Sequence, residues 1–418
     1  TSEKVTCLAA LGLLGGVVLS WPLWNENARE AFPLLPLMGG MRQPEVGGVM
    51  GLLLAGLLVI LLFGAVVFCR KKRSTGLLIA AILLLCVLDI NRLQPWVWFY
   101  LLILGAVLFR QKETEPQTVQ ALRWLLAGVY FWSGFSKITP YFAEDNFPWF
   151  CEAFFWTKPL GDWPAAGYGV ALVELLFAPG LLWHVSRPAF RWIVPAFHLF
   201  IIVALSPLGL DWNTVVIPWN VAMGGMVWVL CNPTPIPSPK GEGGLIASNL
   251  EPVLIKDDLI LRNLAPRNAI KPPSPLGESL SRTLVGRMGV GLLALAWLLP
   301  AFNIFHLWPE PLSWKMYSNT QTEATFYCNR VADISVEWEL LWDKHGFDDR
   351  RKLLLDDWAF DELHVPVYNS RRTFLQMASY LCKKSIHRDA SGLMLLTVNR
   401  WDKSAEKWET IPCAQIAR

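Results

Sequence analysis

The chain has 418 residues, 53% of them apolar and only 17% charged, with a mean hydropathy of +0.36 and a formal net charge of +3. That composition excludes a disordered chain and argues against a wholly soluble enzyme. The small net charge, with no Lys/Arg stripe interleaved with stacking aromatics, argues against a nucleic-acid partner. The eight cysteines form no CxxC pair and no Cys/His ligand spacing, and Cys7, Cys69, Cys86, Cys151 and Cys231 lie in or beside apolar segments. Neither a metal site nor a disulfide scaffold is indicated.

A hydrocarbon core of about 30 Å needs roughly 20 apolar residues in a helix, somewhat fewer where flanking residues snorkel. Nine segments qualify, at residues 5–21, 49–69, 76–90, 93–109, 122–137, 164–183, 191–209, 212–231 and 286–307. The first follows Lys4 as a signal peptide would, but no small-x-small cleavage site follows and Trp21-Pro-Leu-Trp24 reads as interfacial, so it is taken as a helix. Lys and Arg set the orientation. With the N-terminus inside, the inner regions hold Lys4, the basic cluster 70–73, Arg110, Lys112, Arg123, Arg187, Arg191 and six more within 232–282, against Arg29, Arg42, Arg92 and Lys158 outside. Nine spans then place residues 309–418 outside, which in a bacterial inner membrane means the periplasm.

Residues 232–282 contain nine prolines, four glycines and the near-duplicates Ser238-Pro-Lys-Gly-Glu and Ser274-Pro-Leu-Gly-Glu. They read as an irregular cytoplasmic linker, unable to bury enough apolar surface to offset ordering entropy. Beyond the ninth span the pattern changes to alternation, as in Thr325-Phe-Tyr-Cys328 and Ile334-Ser-Val-Glu-Trp-Glu-Leu-Leu341, with a helical pattern at 368–386 and a closing hairpin at 392–400 and 407–411. The expected fold class is therefore an all-α polytopic bundle of nine transmembrane helices with a small extracytoplasmic α+β or β-rich C-terminal domain. The domains are a bundle at 1–231, a linker at 232–285, a ninth helix at 286–308 and an outer domain at 309–418. Cys328, Cys382 and Cys413 would share an oxidising compartment. The pairing is not set by sequence; Cys328 with Cys413 is the expected bridge because both lie in strand-like segments.

Ionisable groups at bilayer depth cost between about 3 and 10 kcal/mol, so each one suggests a site. Lys137 closes the fifth span in Phe131-Trp-Ser-Gly-Phe-Ser-Lys137. Glu174 lies mid-way along the sixth, His198 near mid-depth of the seventh and Asn220 near mid-depth of the eighth. A rise of about 1.5 Å per residue puts the last three within about one turn of a common depth, with Lys137 nearer the outer face. They fit the lining of one outward-facing pocket. Two plainer readings stand beside that one: Lys137 snorkelling to the interface, and a satisfied Glu174, His198 and Asn220 network that only fixes packing. Asp89-Ile-Asn-Arg92-Leu-Gln-Pro-Trp96 reads as an interfacial cap in which Asp89 pairs with Arg92, and the aromatics of 147–163 as a belt or half-buried lid.

Ser133-Gly-Phe-Ser-Lys137, Phe197-His198-Leu199, Asp211-Trp-Asn213 and Pro218-Trp-Asn220, in this order, resemble the transmembrane region of the HTTM group. That bundle is shared by the vitamin K-dependent γ-carboxylases and their bacterial relatives, and the resemblance covers residues 76–231. It implies Lys137 as the base that deprotonates a quinone-type hydroquinone, a role open to a lysine desolvated in an apolar pocket. His198 and Asn220 would polarise a ring oxygen and Glu174 would orient His198, with Asn213 and Trp132 completing substrate binding. The chain carries Gln94-Pro95-Trp96 where the carboxylases have a histidine, and lacks their large luminal portion, so glutamate γ-carboxylation itself is not implied. The expected ligand is a quinone or lipid-like molecule and the expected surroundings are the bilayer. The alternative is a non-catalytic subunit of a larger membrane assembly, partnered by other membrane or periplasmic proteins.

Overall fold

A computed structural model describes residues 1–37, 48–67, 72–108, 115–232, 291–318, 320, 322–328, 346–347, 351–384 and 391–416. Thr1–Asn232 and Met288–Arg418 form one compact unit and Pro233–Arg287 a second. The second contains most of the Pro/Gly-rich segment and lies outside the described residues, as does the strand expected at 334–341.

All eight apolar segments before the linker are helical. They are α1 (Ser2–Leu19), α2 (Val49–Val67), α3 (Lys72–Leu88), α4 (Pro95–Leu108), α5 (Glu115–Ser136), α6 (Pro164–Leu182), α7 (Arg187–Leu205) and α8 (Val216–Cys231). A ninth apolar helix, α9, covers Gly291–Phe305. Its second half, Leu299–Phe305, tightens into 3-10 geometry behind Pro300, whose ring removes a backbone donor. Three of these helices, α1, α6 and α7, are long and apolar enough to cross a membrane by length and composition, while α4, α8, α9 and the core of α2 are apolar but shorter. The apolar residues do not stop at the buried faces: Leu57, Ile60 and Phe63 of α2 and Trp192 and Leu199 of α7 lie exposed. Apolar surface in such stretches suits lipid rather than water.

Small residues let the helices approach. A Cβ on Gly134 of α5 would stand 2.5 Å from the Leu175 backbone nitrogen and 2.8 Å from the Ala171 carbonyl oxygen, so only glycine admits α6 at this distance. Gly224 of α8 also lies against Pro195 and the His198 Cβ of α7, but a Cβ there would make only ordinary contacts at 3.4–3.7 Å.

The chain after α9 forms a five-stranded antiparallel sheet in the order β2-β3-β1-β4-β5. Its strands are β1 (Glu323–Cys328), β2 (Gly346–Phe347), β3 (Arg351–Leu354), β4 (Ser391–Thr397) and β5 (Lys407–Pro412). Helices α10 (Leu355–Leu363) and α11 (Arg371–Lys384) accompany it, with Leu355, Trp358, Phe374 and Met377 fully buried.

The expected Cys328–Cys413 bridge is corrected by this topology. Cys413 follows β5, and β4 lies between β5 and β1, so two strand spacings of about 4.8 Å separate the pair, beyond the reach of a disulfide. Cys413 instead bonds Cys382 of α11, with a Cα–Cα distance of 5.4 Å. The buried Cys328 sulfur accepts from the Ser391 hydroxyl at 3.2 Å.

The β-domain rests on one end of the helices. Glu362 accepts from the backbone N–H groups of Glu30, Ala31 and Phe32 at 3.0, 2.9 and 2.7 Å, and Trp358 donates to its other oxygen at 2.6 Å. Asn91 accepts from the Tyr368 N–H at 2.9 Å, Gln94 donates to the Pro366 carbonyl at 2.9 Å, and Lys403 reaches Asp145 at 2.9 Å. At this end the expected Asp89–Arg92 pair is also corrected. Asp89 pairs with Arg29 at 2.7 Å and caps Asn91, while Arg92 donates to the Leu23 and Leu85 carbonyls at 3.0 and 3.1 Å and meets Glu26 at 3.4 Å. Arg92 stands only one turn after Asp89, and the open carbonyls of two neighbouring segments claim it first.

Candidate functional site

Four helices bring polar side chains to one point. Lys137, just past the end of α5, donates to Glu174 of α6 at 2.7 Å and to Ser133 one turn earlier at 2.7 Å. His198 of α7 bonds the Tyr130 hydroxyl through Nε2 at 2.7 Å and Asn220 of α8 through Nδ1 at 2.7 Å. Asn220 donates in turn to the Val216 carbonyl at 2.9 Å. Lys137, Glu174, His198 and Asn220 are 7, 6, 6 and 7% exposed, so none is bathed in water. All four line one cavity of about 50 Å³, together with Tyr130, Ser133 and an apolar wall that includes Phe197 and Met223.

These positions favour the pocket reading of Lys137 over snorkelling and correct two sequence expectations. Lys137 turns inward to Glu174 instead of snorkelling, because Gly134 lets α6 approach closely enough to offer a carboxylate. Glu174 does not orient His198; its oxygen is held by Lys137, and the Tyr130 hydroxyl takes the orienting position. Trp132 points elsewhere, donating to the Trp297 carbonyl of α9 at 3.0 Å. Tyr130, Met316 and Tyr317 were not singled out from sequence. Tyr130, Ser133 and Lys137 fall at i, i+3 and i+7, one face of a helix, so that signal was available. Met316 and Tyr317 arrive from the segment after α9, and nothing local in the sequence places them at the bundle.

Met316, Tyr317, Val216 and Trp219 also line a larger chamber of about 520 Å³ at the end of the bundle that carries the β-domain. Asn213 borders this chamber rather than the small cavity. Backbone strain collects around it: Asp211, Trp314 and Tyr317 have φ of 46, 60 and 57°, a region costly for residues with a Cβ. Burial pushes the Asp356 carboxyl on its wall up to about 7, with Asp357, Glu323 and Glu310 adding to the rise against the Val367 N–H it accepts. Burial also lowers the Lys315 ammonium and raises the Tyr317 phenol. Among the described residues no group of three His, Cys, Asp or Glu side chains is placed to hold a metal ion.

The small cavity thus gathers an ammonium paired with a carboxylate beside an imidazole engaged on both ring nitrogens, and shares lining residues with the chamber. No protein-family model, curated protein or solved structure matches this chain.

Proposed function

We propose that this protein is a nine-span membrane protein, N-terminus inside, that binds a quinone or lipid-like molecule in an outward-facing pocket, as its resemblance to the HTTM bundle implies. The observation that carries the reading is the convergence of Lys137, Glu174, His198 and Asn220 from four helix segments on a cavity sharing walls with the large chamber. Ionisable groups held at this depth need a purpose or a partner. Lys137 moves a proton at a quinone or phenolic oxygen, Glu174 balances its charge, and Tyr130 and Asn220 hold His198 for the same ring.

The orientation draws support from both ends of the bundle. The β-domain touches the chain at residues 30–32, 91 and 145, in loops assigned outside, and at Gln94, at the outer end of the fourth span. Arg123, Arg187 and Arg191 bind the Leu230 carbonyl, the Leu181 carbonyl and the Asn232 side chain, at helix ends assigned inside. A bacterial cytoplasmic membrane with the β-domain in the periplasm fits this arrangement.

A second reading, that of an accessory subunit in a membrane assembly, is favoured by one specific observation. Lys137, Glu174, His198 and Asn220 satisfy one another within the protein, and a cavity of about 50 Å³ holds little besides them. Mass spectrometry of the lipid-soluble extract of the purified protein separates the two. A stoichiometric quinone or polar lipid, lost on Lys137→Met with the fold retained, supports the pocket reading. An empty extract with a fixed set of co-purifying subunits supports the other.

A further inference from the structure

The walls of the 520 Å³ chamber have a one-sided charge. Among its described lining residues, Asp145, Glu310, Glu323, Asp356 and Asp357 stand beside one cation, Lys315, while Asp145 is also held by Lys403 at 2.9 Å. Lys315 is already engaged by Glu310 at 3.3 Å and by the Thr320 carbonyl at 3.1 Å. Arg400 acts on Glu310 electrostatically but lines a separate cleft. Beside the carboxylates stands an aromatic wall, in which Trp212 packs 5.7 Å from Trp149 and 5.4 Å from Phe360. Carboxylates next to ring faces suit an organic cation.

A second, independent feature narrows its chemistry. Asn213 Oδ1, Glu310 Oε2 and Trp219 Nε1 are buried and find no hydrogen-bond partner among the described residues. Their side chains are at least nine-tenths buried, at 8, 9 and 7% exposure, and all three border the chamber. Buried polar groups without partners are costly and mark places where a ligand or water completes the bonding. Two of these atoms accept, so they call for N–H donors; the indole donates, so it calls for an oxygen. A quaternary ammonium offers no N–H, and a carboxylate ligand would meet the Glu310 and Glu323 carboxylates.

We propose that this chamber binds a primary ammonium with a neighbouring oxygen acceptor, the chemistry of ethanolamine, through Glu310 and Asn213 as acceptors and Trp219 as donor. Its size falls in the range of small-molecule sites. The same group is presented by a free amine and by the headgroup of an aminophospholipid. The inference does not rest on quinone binding at Lys137.

The test uses the full chain in nanodiscs of dioleoylphosphatidylglycerol, a bilayer with no amine, titrated calorimetrically with ethanolamine, choline, acetate and glycerophosphoethanolamine. Ethanolamine should bind saturably, choline about tenfold more weakly, and acetate not at all. Asn213→Leu should weaken ethanolamine about tenfold; it leaves the Glu310–Lys315 pair intact and so stands in should Glu310→Gln fail to fold. Lys137→Met should keep ethanolamine affinity within about twofold, which separates failure here from failure of the quinone reading. Glycerophosphoethanolamine binding more tightly than ethanolamine would assign the site to a headgroup, and the reverse order to a free amine. Choline matching ethanolamine, saturable acetate binding, or no effect from either variant overturns the proposal.

Discussion

Replacing Lys137 by methionine tests the centre of the site most directly. The substitution keeps side-chain length and removes the ammonium that stands 2.7 Å from Glu174, leaving a carboxylate that is 6% exposed with no cation beside it. Removing one partner of a buried ion pair costs about 3–5 kcal/mol, because the remaining charge stays desolvated. Glu174→Leu should cost somewhat less, since the Lys137 ammonium keeps its bond to the Ser133 hydroxyl. The double variant Lys137→Met/Glu174→Leu removes both charges into an apolar wall and should lie within about 1 kcal/mol of the parent. The cycle then yields a coupling energy of about 3 kcal/mol or more between the two residues. Reversible unfolding in mixed dodecylmaltoside and dodecylsulfate micelles, followed by tryptophan fluorescence, measures all four proteins. Single costs below about 1 kcal/mol that simply add would refute the inward-facing pair and return Lys137 to the aqueous interface.

Three further outcomes follow from separate parts of the structure. Tyr130→Phe removes the hydroxyl 2.7 Å from His198 Nε2 and should destabilise by about 1 kcal/mol in the same unfolding assay, with a changed His198 ring ¹⁵N spectrum; an unchanged spectrum would show that Tyr130 does not hold the ring. Non-reducing peptide mapping should recover Cys382 joined to Cys413, and Cys382→Ser, opening a loop of sequence separation 31, should cost about 3–4 kcal/mol while Cys328→Ser leaves the bridge intact. Asp356 has a folded-state value of about 7 against an ordinary 3.8, so the folded state holds the proton more tightly and stability drains away as pH rises between those values. That displacement corresponds to at most about 4 kcal/mol, so Asp356→Asn should raise the melting temperature at pH 8 and leave it nearly unchanged at pH 4.

What the sequence made legible, and what it did not, divides along physical lines. The helices were readable because long uncharged runs such as residues 49–67 have one favourable backbone solution wherever water is scarce. The strands at 323–328, 391–397 and 407–412 were readable from alternation, and so was the helix at 371–384 from its period. The polar residues at depth were readable for a stricter reason. A lone Glu174 or His198 among apolar neighbours must find a partner, so its presence announces a meeting point. The identity of each partner was not readable in the same way. It depends on which faces of two helices touch: Gly134 admits α6 and hands Glu174 to Lys137, while the packing of α8 on α7 hands Asn220 to His198. The Asp89–Arg92 and Cys328–Cys413 expectations failed for a related reason, since each assigned partners by nearness along the chain or likeness of segment. Arg29 reaches Asp89 across sixty residues, and an intervening strand keeps Cys413 from Cys328. The large chamber lies further still from what a linear pattern carries, because its walls come from the end of the bundle and from a domain encoded after the linker. Glu310 looks ordinary in its own segment, and although Asn213 and Trp219 fall in motifs that the sequence singles out, only the structure brings the three to one cavity with unpartnered polar atoms.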